Sequence, residues 1–72
     1  MSEAQEDYIR LDQFLKVVDA VQSGGQAKHL IQGGEVQVNG AVETRRSKKL
    51  REGDTVTYGG RTYEVHLPVG GA

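Results

Sequence analysis

The spacing of apolar positions along the chain changes twice, and each change marks a boundary between elements. Residues 1–7 carry no apolar periodicity and read as a disordered acidic tail. From Tyr8 onward, Leu11, Phe14, Leu15 and Val18 fall at i, i+3, i+4 and i+7, the stripe of an amphipathic helix. Asp12 suits the cap or first turn of that helix, where a negative charge meets the positive end of the helix dipole. Val21 is expected to pack after the helix has ended. Ser23-Gly24-Gly25-Gln26 reads as a break and a new start, because Ser with Gln three residues later is the capping-box pairing. Ala27, Leu30 and Ile31 supply a short apolar face, while Lys28, His29 and Gln32 point away from it. Gly33-Gly34 ends the second helix, since Gly takes the left-handed cap conformation without steric cost.

The period then shortens to two. Val36 and Val38 alternate with Glu35 and Gln37, and Asn39-Gly40 is a strong hairpin signal. Ala41, Val42 and Glu43 return antiparallel. Thr44 to Lys49 holds no apolar residue and reads as a solvated loop, with Leu50 anchoring the chain back to the core. Glu52-Gly53-Asp54 makes a turn, Thr55–Tyr58 a strand, Gly59-Gly60 a second turn and Arg61–Leu67 a last strand. Residues 68–72 read as a flexible tail. Two short packed helices followed by a small antiparallel β-sheet predict an α+β domain over residues 8–67. Neither helix is long enough to be stable alone, so both depend on packing.

Length narrows the functional classes. A chain of 72 residues buries a modest core and leaves little room for a walled active-site cleft. It has no Cys, hence no disulfide framework, thiolate metal site or thiol nucleophile. His29 and His66 are too few to build a metal site without carboxylates at a recognisable spacing, and no cofactor or metal is expected. No apolar run approaches the roughly 18 residues needed to span a membrane. The acidic start is the opposite of a signal peptide. A soluble, cytoplasmic protein is the expectation.

Charge changes the picture more than length does. The formal net charge is −1, which taken alone argues against a polyanion partner. Its distribution is uneven: the first 25 residues carry a net −3, residues 26–51 a net +4 and the remainder a net −2. Arg45, Arg46, Lys48, Lys49 and Arg51 place five cations within seven residues with no acid between them. A polyanion responds to such a patch more than to the total. Self-repulsion in so short a loop is a standing cost that phosphates would offset, through charge-assisted hydrogen bonds and counterion release. A solubilising loop is the plainer alternative.

The other cations have ordinary explanations beside functional ones. Arg10 and Lys16 flank the first helix, and Lys16 is placed to pair with Asp12 at i,i+4. Lys28 and His29 matter only if the second helix presents them on the side of the loop. The amides at Gly24-Gly25 open a helix N-terminus, a feature that accepts anions, but a tight interhelical turn accounts for them equally. Tyr8, Phe14, Tyr58 and Tyr63 are scattered, with no row of stacking aromatics of the kind used to bind single strands. No nucleophile elbow, phosphate loop or metal-ligand spacing occurs, and no enzymatic activity is expected.

Several of these pieces occur together in a known order. Arg10-Leu11-Asp12, Phe14-Leu15-Lys16, Gln26-Ala27-Lys28, Leu30-Ile31, Gly34, Val36, Val38-Asn39-Gly40 and Gly53-Asp54 resemble the alpha-L RNA-binding motif. That motif is the RNA-binding domain of small-subunit ribosomal protein S-four, found also in some pseudouridine synthases and tyrosyl-tRNA synthetases. The likeness covers about residues 8–58. Ser23-Gly24-Gly25 with Val42-Glu43-Thr44-Arg45-Arg46 looks most like the small stand-alone bacterial RNA-binding proteins of the YbcJ/YaaA-like group. The resemblance implies two packed helices and a sheet that grip structured ribosomal or transfer RNA through phosphates and shape. It implies Arg10, Lys16, Lys28 and the loop Arg45, Arg46, Lys48, Lys49 and Arg51 as contacts, with His29 as a candidate beside Lys28. The implied partner is structured RNA, on or off the ribosome, with no membrane or DNA partner and a monomeric state. Many family members carry a base where Gly24 or Gly25 stands, and Lys where Gln13 stands.

Two other classes share some features. A β-grasp sulfur carrier would use Val38-Asn39-Gly40, Gly53-Asp54 and a terminal diglycine, but that fold begins with a hairpin and Ala72 follows Gly70-Gly71 here. A protein-binding adaptor would turn the same basic loop toward an acidic partner.

Overall fold

The first strand comes before the first helix, where no periodicity marks it. The computed structural model describes residues 8–67, and the expected tails at 1–7 and 68–72 lie outside the described residues. Strand β1 (Ile9–Arg10) runs antiparallel to β4 (Lys49–Leu50), with Ile9 opposite Leu50 and Arg10 opposite Lys49. Helix α1 (Leu11–Val17) follows directly, burying Leu11, Phe14 and Leu15 as the apolar stripe requires. It ends in a pair of hydrogen bonds, Asp19 N–H to the Lys16 carbonyl and Ala20 N–H to the Leu15 carbonyl. This closure forces Asp19 to φ 64°, a left-handed conformation that a side chain disfavours. Val21, past the helix end, is buried as expected.

Helix α2 (Gly24–Gln32) begins at Ser23, whose Oγ accepts from the Gln26 N–H at 3.1 Å. The Gln26 side chain reaches one residue further back than a strict capping box, accepting from the Gln22 N–H at 2.9 Å. Ala27 and Ile31 are fully buried, and Leu30 is half-buried. The same double hydrogen bond that ends α1 ends α2, from Gly34 N–H to Ile31 and Glu35 N–H to Leu30. Only Gly34, at φ 79°, is left-handed; Gly33 stays at φ −78°. The α2 terminus therefore has a Gly where the α1 terminus has Asp19. Asp19→Gly is expected to raise the unfolding free energy by about 0.5–1 kcal/mol, read by urea denaturation. An unchanged or lower midpoint would contradict strain at this cap.

Strands β2 (Gln37–Val38), β3 (Ala41–Val42), β5 (Thr55–Tyr58) and β6 (Arg61–Glu64) form a four-stranded sheet in the order β3-β2-β5-β6, with every neighbouring pair antiparallel. The last strand is shorter than Arg61–Leu67. After Glu64 the chain leaves its partner: Val65 N–H donates to the Asp54 carbonyl at 2.8 Å and Leu67 N–H to the Glu52 carboxylate at 2.7 Å. The core joins the helix stripes to Val36, Val38, Val56 and Val65, with Ile9 and Leu50 of the small ladder included. Phe14 meets Tyr63 edge to face, with centroids 6.4 Å apart. All buried residues among those described are apolar.

Candidate nucleic-acid interface

Alternation along a strand decides where the cations go. Ile9 and Leu50 turn into the core, so their neighbours Arg10 and Lys49 face solvent from the opposite side of the β1–β4 ladder. Two cations directly opposite one another destabilise a ladder unless an anion lies near both. Asp12 supplies part of that, with Oδ1 3.4 Å from Arg10 Nε. Lys49 has turned to Tyr8, its Nζ 4.8 Å from the ring centroid. Beside them, Arg45, Ser47, Lys48, Lys49 and Arg51 line an open cleft of about 340 Å³ with no acid in its wall among the described residues.

The segment from Thr44 to Lys49 is exposed as expected, but it is not a free loop. Lys49 belongs to β4, and the carbonyls of Lys48 and Arg46 accept from the Leu11 and Asp12 N–H groups at 2.9 and 3.1 Å. These are among the first-turn donors of α1, which have no partner within the helix. The loop thus caps α1, and α1 in turn fixes the loop. Its two ends are held by acids: Glu43 accepts from the Arg45 N–H at 3.0 Å, and Asp54 accepts from the Arg51 N–H at 2.8 Å. Asp54 also accepts from the Asn39 side chain at 3.2 Å, and Asn39 Oδ1 accepts from the Thr55 N–H at 3.0 Å. The hairpin turn and the end of the basic segment are locked to one another through these side chains. The backbone that carries the cleft is thereby preorganised, so binding has to order its side chains and not its main chain.

Arg45 is also paired through its side chain, Nε lying 3.1 Å from Glu43 Oε2. That contact uses Nε, one of the five N–H donors of the guanidinium. The Arg45 side chain, then its backbone N–H, hold the Glu43 carboxyl below its ordinary value of 4.5. A depressed carboxyl contributes stability that is complete above its unfolded value and lost as pH falls through its folded one. Wild type is therefore expected to lose more unfolding free energy than Glu43→Gln between about pH 5 and about pH 3, by a few tenths of a kcal/mol for so exposed a pair. Equal losses in urea titrations at both pH values would remove the Glu43–Arg45 link.

The remaining sequence candidates separate. Arg10 joins the loop through the β1–β4 ladder. Lys16 lines a second groove of about 540 Å³ with Tyr8, Ile9, Gln13 and Val17, so it stands on the Tyr8 side of α1. The expected Lys16–Asp12 pair does not form: Asp12 Oδ1 accepts from the Gln13 N–H at 2.8 Å and turns to Arg10 instead. Lys28 and His29 are exposed on α2, and neither lines the cleft or the groove. Gly24 and Gly25 form the first turn of α2. Tyr8, Gln13, Glu43 and Asp54 were not candidates from the sequence. Glu43 had a readable signal, an acid two residues from a cation at the loop's start. Tyr8 had none, since its ring meets Lys49 only through pairing across the fold.

Comparison with known proteins adds an independent line. The family model of the S4 domain matches residues 2–66. A protein of Bacillus subtilis (strain 168) named "Probable ribosome maturation protein RlbA" is 48% identical over 50 residues, covering 69% of this chain and 70% of that one. One of Escherichia coli (strain K12) named "Putative RNA-binding protein YbcJ" is 41% identical over 58 residues, covering 81% and 83%. Among solved structures, the trimeric Heat Shock Protein 15 of Vibrio cholerae superposes with a TM-score of 0.65 at 27% identity. The match covers 72% of this chain, which spans about half (52%) of that protein's length. The 30S ribosomal protein S4e of Thermoplasma acidophilum shares the fold, with a TM-score of 0.61 at 20% identity over 88% of this chain and 32% of that one.

Proposed function

The chain belongs to the S4 domain family, and on that premise we propose that it is a small RNA-binding protein that docks on structured RNA. The observation that carries this reading is the cleft lined by the cations Arg45, Lys48, Lys49 and Arg51 with Ser47, continued by Arg10 across the β1–β4 ladder. Four cations line the cleft and a fifth, Arg10, stands opposite Lys49, more positive charge than a single small anion would offset and suited to successive phosphates. A-form RNA hides its base edges in a deep groove, so phosphate and shape readout is the mode such a surface serves. The relatives' names, one for ribosome maturation and one for RNA binding, support ribosomal RNA as the class to test first. Arg10, Arg45, Arg46, Lys48, Lys49 and Arg51 are the primary phosphate contacts, with Lys16 beside them. Lys28 and His29 form a separate, outlying contact on α2. The role is binding without catalysis, by a monomer in the cytoplasm.

Titration of the protein with a ribosomal RNA hairpin, against polyglutamate at matched salt, tests this. About five neutralised phosphates give a log–log salt slope on the order of −4 for the RNA. Polyglutamate binding of equal strength would instead favour an adaptor for acidic proteins.

A further inference from the structure

Three large hydrophobic side chains are exposed among the described residues, and two of them share one groove. Tyr8 is 48% exposed and Val17 52%, and both line the second groove, with Ile9 at its floor and Gln13 and Lys16 along its wall. Exposed apolar groups gathered into one concavity mark a binding surface, whereas scattered ones do not. The third, Val42, lies on the edge strand β3 and outside this groove.

The surroundings of the groove identify its occupant. Tyr8 has Lys49 Nζ of the basic cleft over its ring, and Lys16 lines the groove itself. The lining offers apolar Ile9 and Val17, one aromatic ring, an amide and one cation, with no carboxylate in it among the described residues, and a second cation lies against the ring. A nucleotide within an RNA chain has this same arrangement, a flat ring with a phosphate on either side. An apolar peptide segment would offer Lys16 no anion. Gln13 adds a directional group. Its Oε1 accepts from the Arg10 N–H at 3.3 Å, which fixes the amide so that Nε2 is left to donate.

We propose that this groove holds one unpaired base of the bound RNA, stacked on Tyr8 with an acceptor on its edge toward Gln13. The proposal rests on the RNA-binding reading and makes it more specific: the preferred target is a helix interrupted by a bulge or ending in an unpaired nucleotide, with the phosphates of the helix on the cationic cleft. A single ring suffices, so no row of aromatics is needed.

The test compares two RNA hairpins of equal length, one fully paired and one with a single bulged 2-aminopurine. Wild type is expected to bind the bulged hairpin about 5- to 100-fold more tightly, the range of one base stacked on one ring, and to quench the 2-aminopurine fluorescence. Tyr8→Phe should keep the preference and the quenching. Tyr8→Ala should lose both while the salt slope on the paired hairpin stays near the wild-type value. Val17→Gln, which narrows the groove without touching the Tyr8–Lys49 contact, should also lose the preference. Equal binding of the two hairpins by wild type with a normal salt slope would overturn the base site and leave the phosphate surface standing. Preference and quenching retained by Tyr8→Ala would overturn it too. Failure to bind either hairpin would overturn both readings.

Discussion

Replacing Arg45, Arg46, Lys48 and Lys49 together with Ala is expected to lower affinity for structured RNA by roughly 100- to 1,000-fold at about 0.1 M salt, with the slope of log K against log salt falling from about −4 to about −1. Each lost phosphate contact removes close to one unit of slope, and the affinity follows at about 1.4 kcal/mol per tenfold. Loss of binding should be nearly uniform across RNA sequences, because phosphates carry no sequence information. None of the four side chains is buried, and the main-chain bonds that tie the segment to α1 involve the carbonyls of Arg46 and Lys48, which Ala retains. The variant should therefore melt near the wild-type temperature. Filter binding over a salt series with a parallel thermal melt measures both quantities. A quadruple variant that binds with the wild-type slope would remove the cleft from the binding surface.

The largest expected effect on stability falls on Leu50. It is fully buried, sits opposite Ile9 in the β1–β4 ladder, and lies between the cleft cations Lys49 and Arg51. Leu50→Ala removes a large apolar side chain from a packed site, at an expected cost of about 2–5 kcal/mol. A domain of this size has only about 3–5 kcal/mol from its single core, so much of the variant should be unfolded at 37 °C. Urea denaturation followed by far-ultraviolet circular dichroism reads the change directly. A loss under about 1 kcal/mol would mean that the ladder contributes little. RNA binding should fall in this variant as well, but in proportion to the folded fraction and with the slope of the remaining binding intact. The two substitutions thus separate the surface that binds from the element that holds it.

Helix stripes, caps and turn dipeptides are legible in the chain, and a two-residue pairing between distant segments is not. The Leu11, Phe14 and Leu15 stripe and the Ser23 cap both lie in the helices they predict. The Asn39-Gly40 hairpin and the Gly59-Gly60 turn have the expected partners on either side. Strand β1 was invisible because two residues cannot show a period and the partner strand lies far along the chain. The same pairing explains why a segment without a single apolar residue, read as a solvated loop, is held against a helix. Its anchors are main-chain carbonyls, which no side-chain pattern records. The last strand was read three residues too long because alternation continues through Val65 and Leu67, while the hydrogen bonds of the backbone turn to Asp54 and Glu52. Of the candidate site, the charge was readable and the neighbourhood was not. Arg10 and Lys49 became a pair, and Tyr8 and Gln13 acquired a place, only when the ladder brought them together.

That ladder also bears on how the protein comes to exist in its working form. Ile9 and Leu50 are about forty residues apart, so the contact between them closes most of the described chain into one loop. Closing a loop of that length carries an entropic cost that the local turns, with separations of a few residues, do not meet. The hairpins and the two helices close over short separations, whereas the ladder, like the Phe14–Tyr63 contact, joins distant parts of the chain. Until it closes, the cations of residues 45–51 and Arg10 are on separate parts of a fluctuating chain. The continuous basic face is therefore a property of the finished topology: a partly unfolded chain keeps the five cations of residues 45–51 together but lacks Arg10 beside them and the shaped cleft.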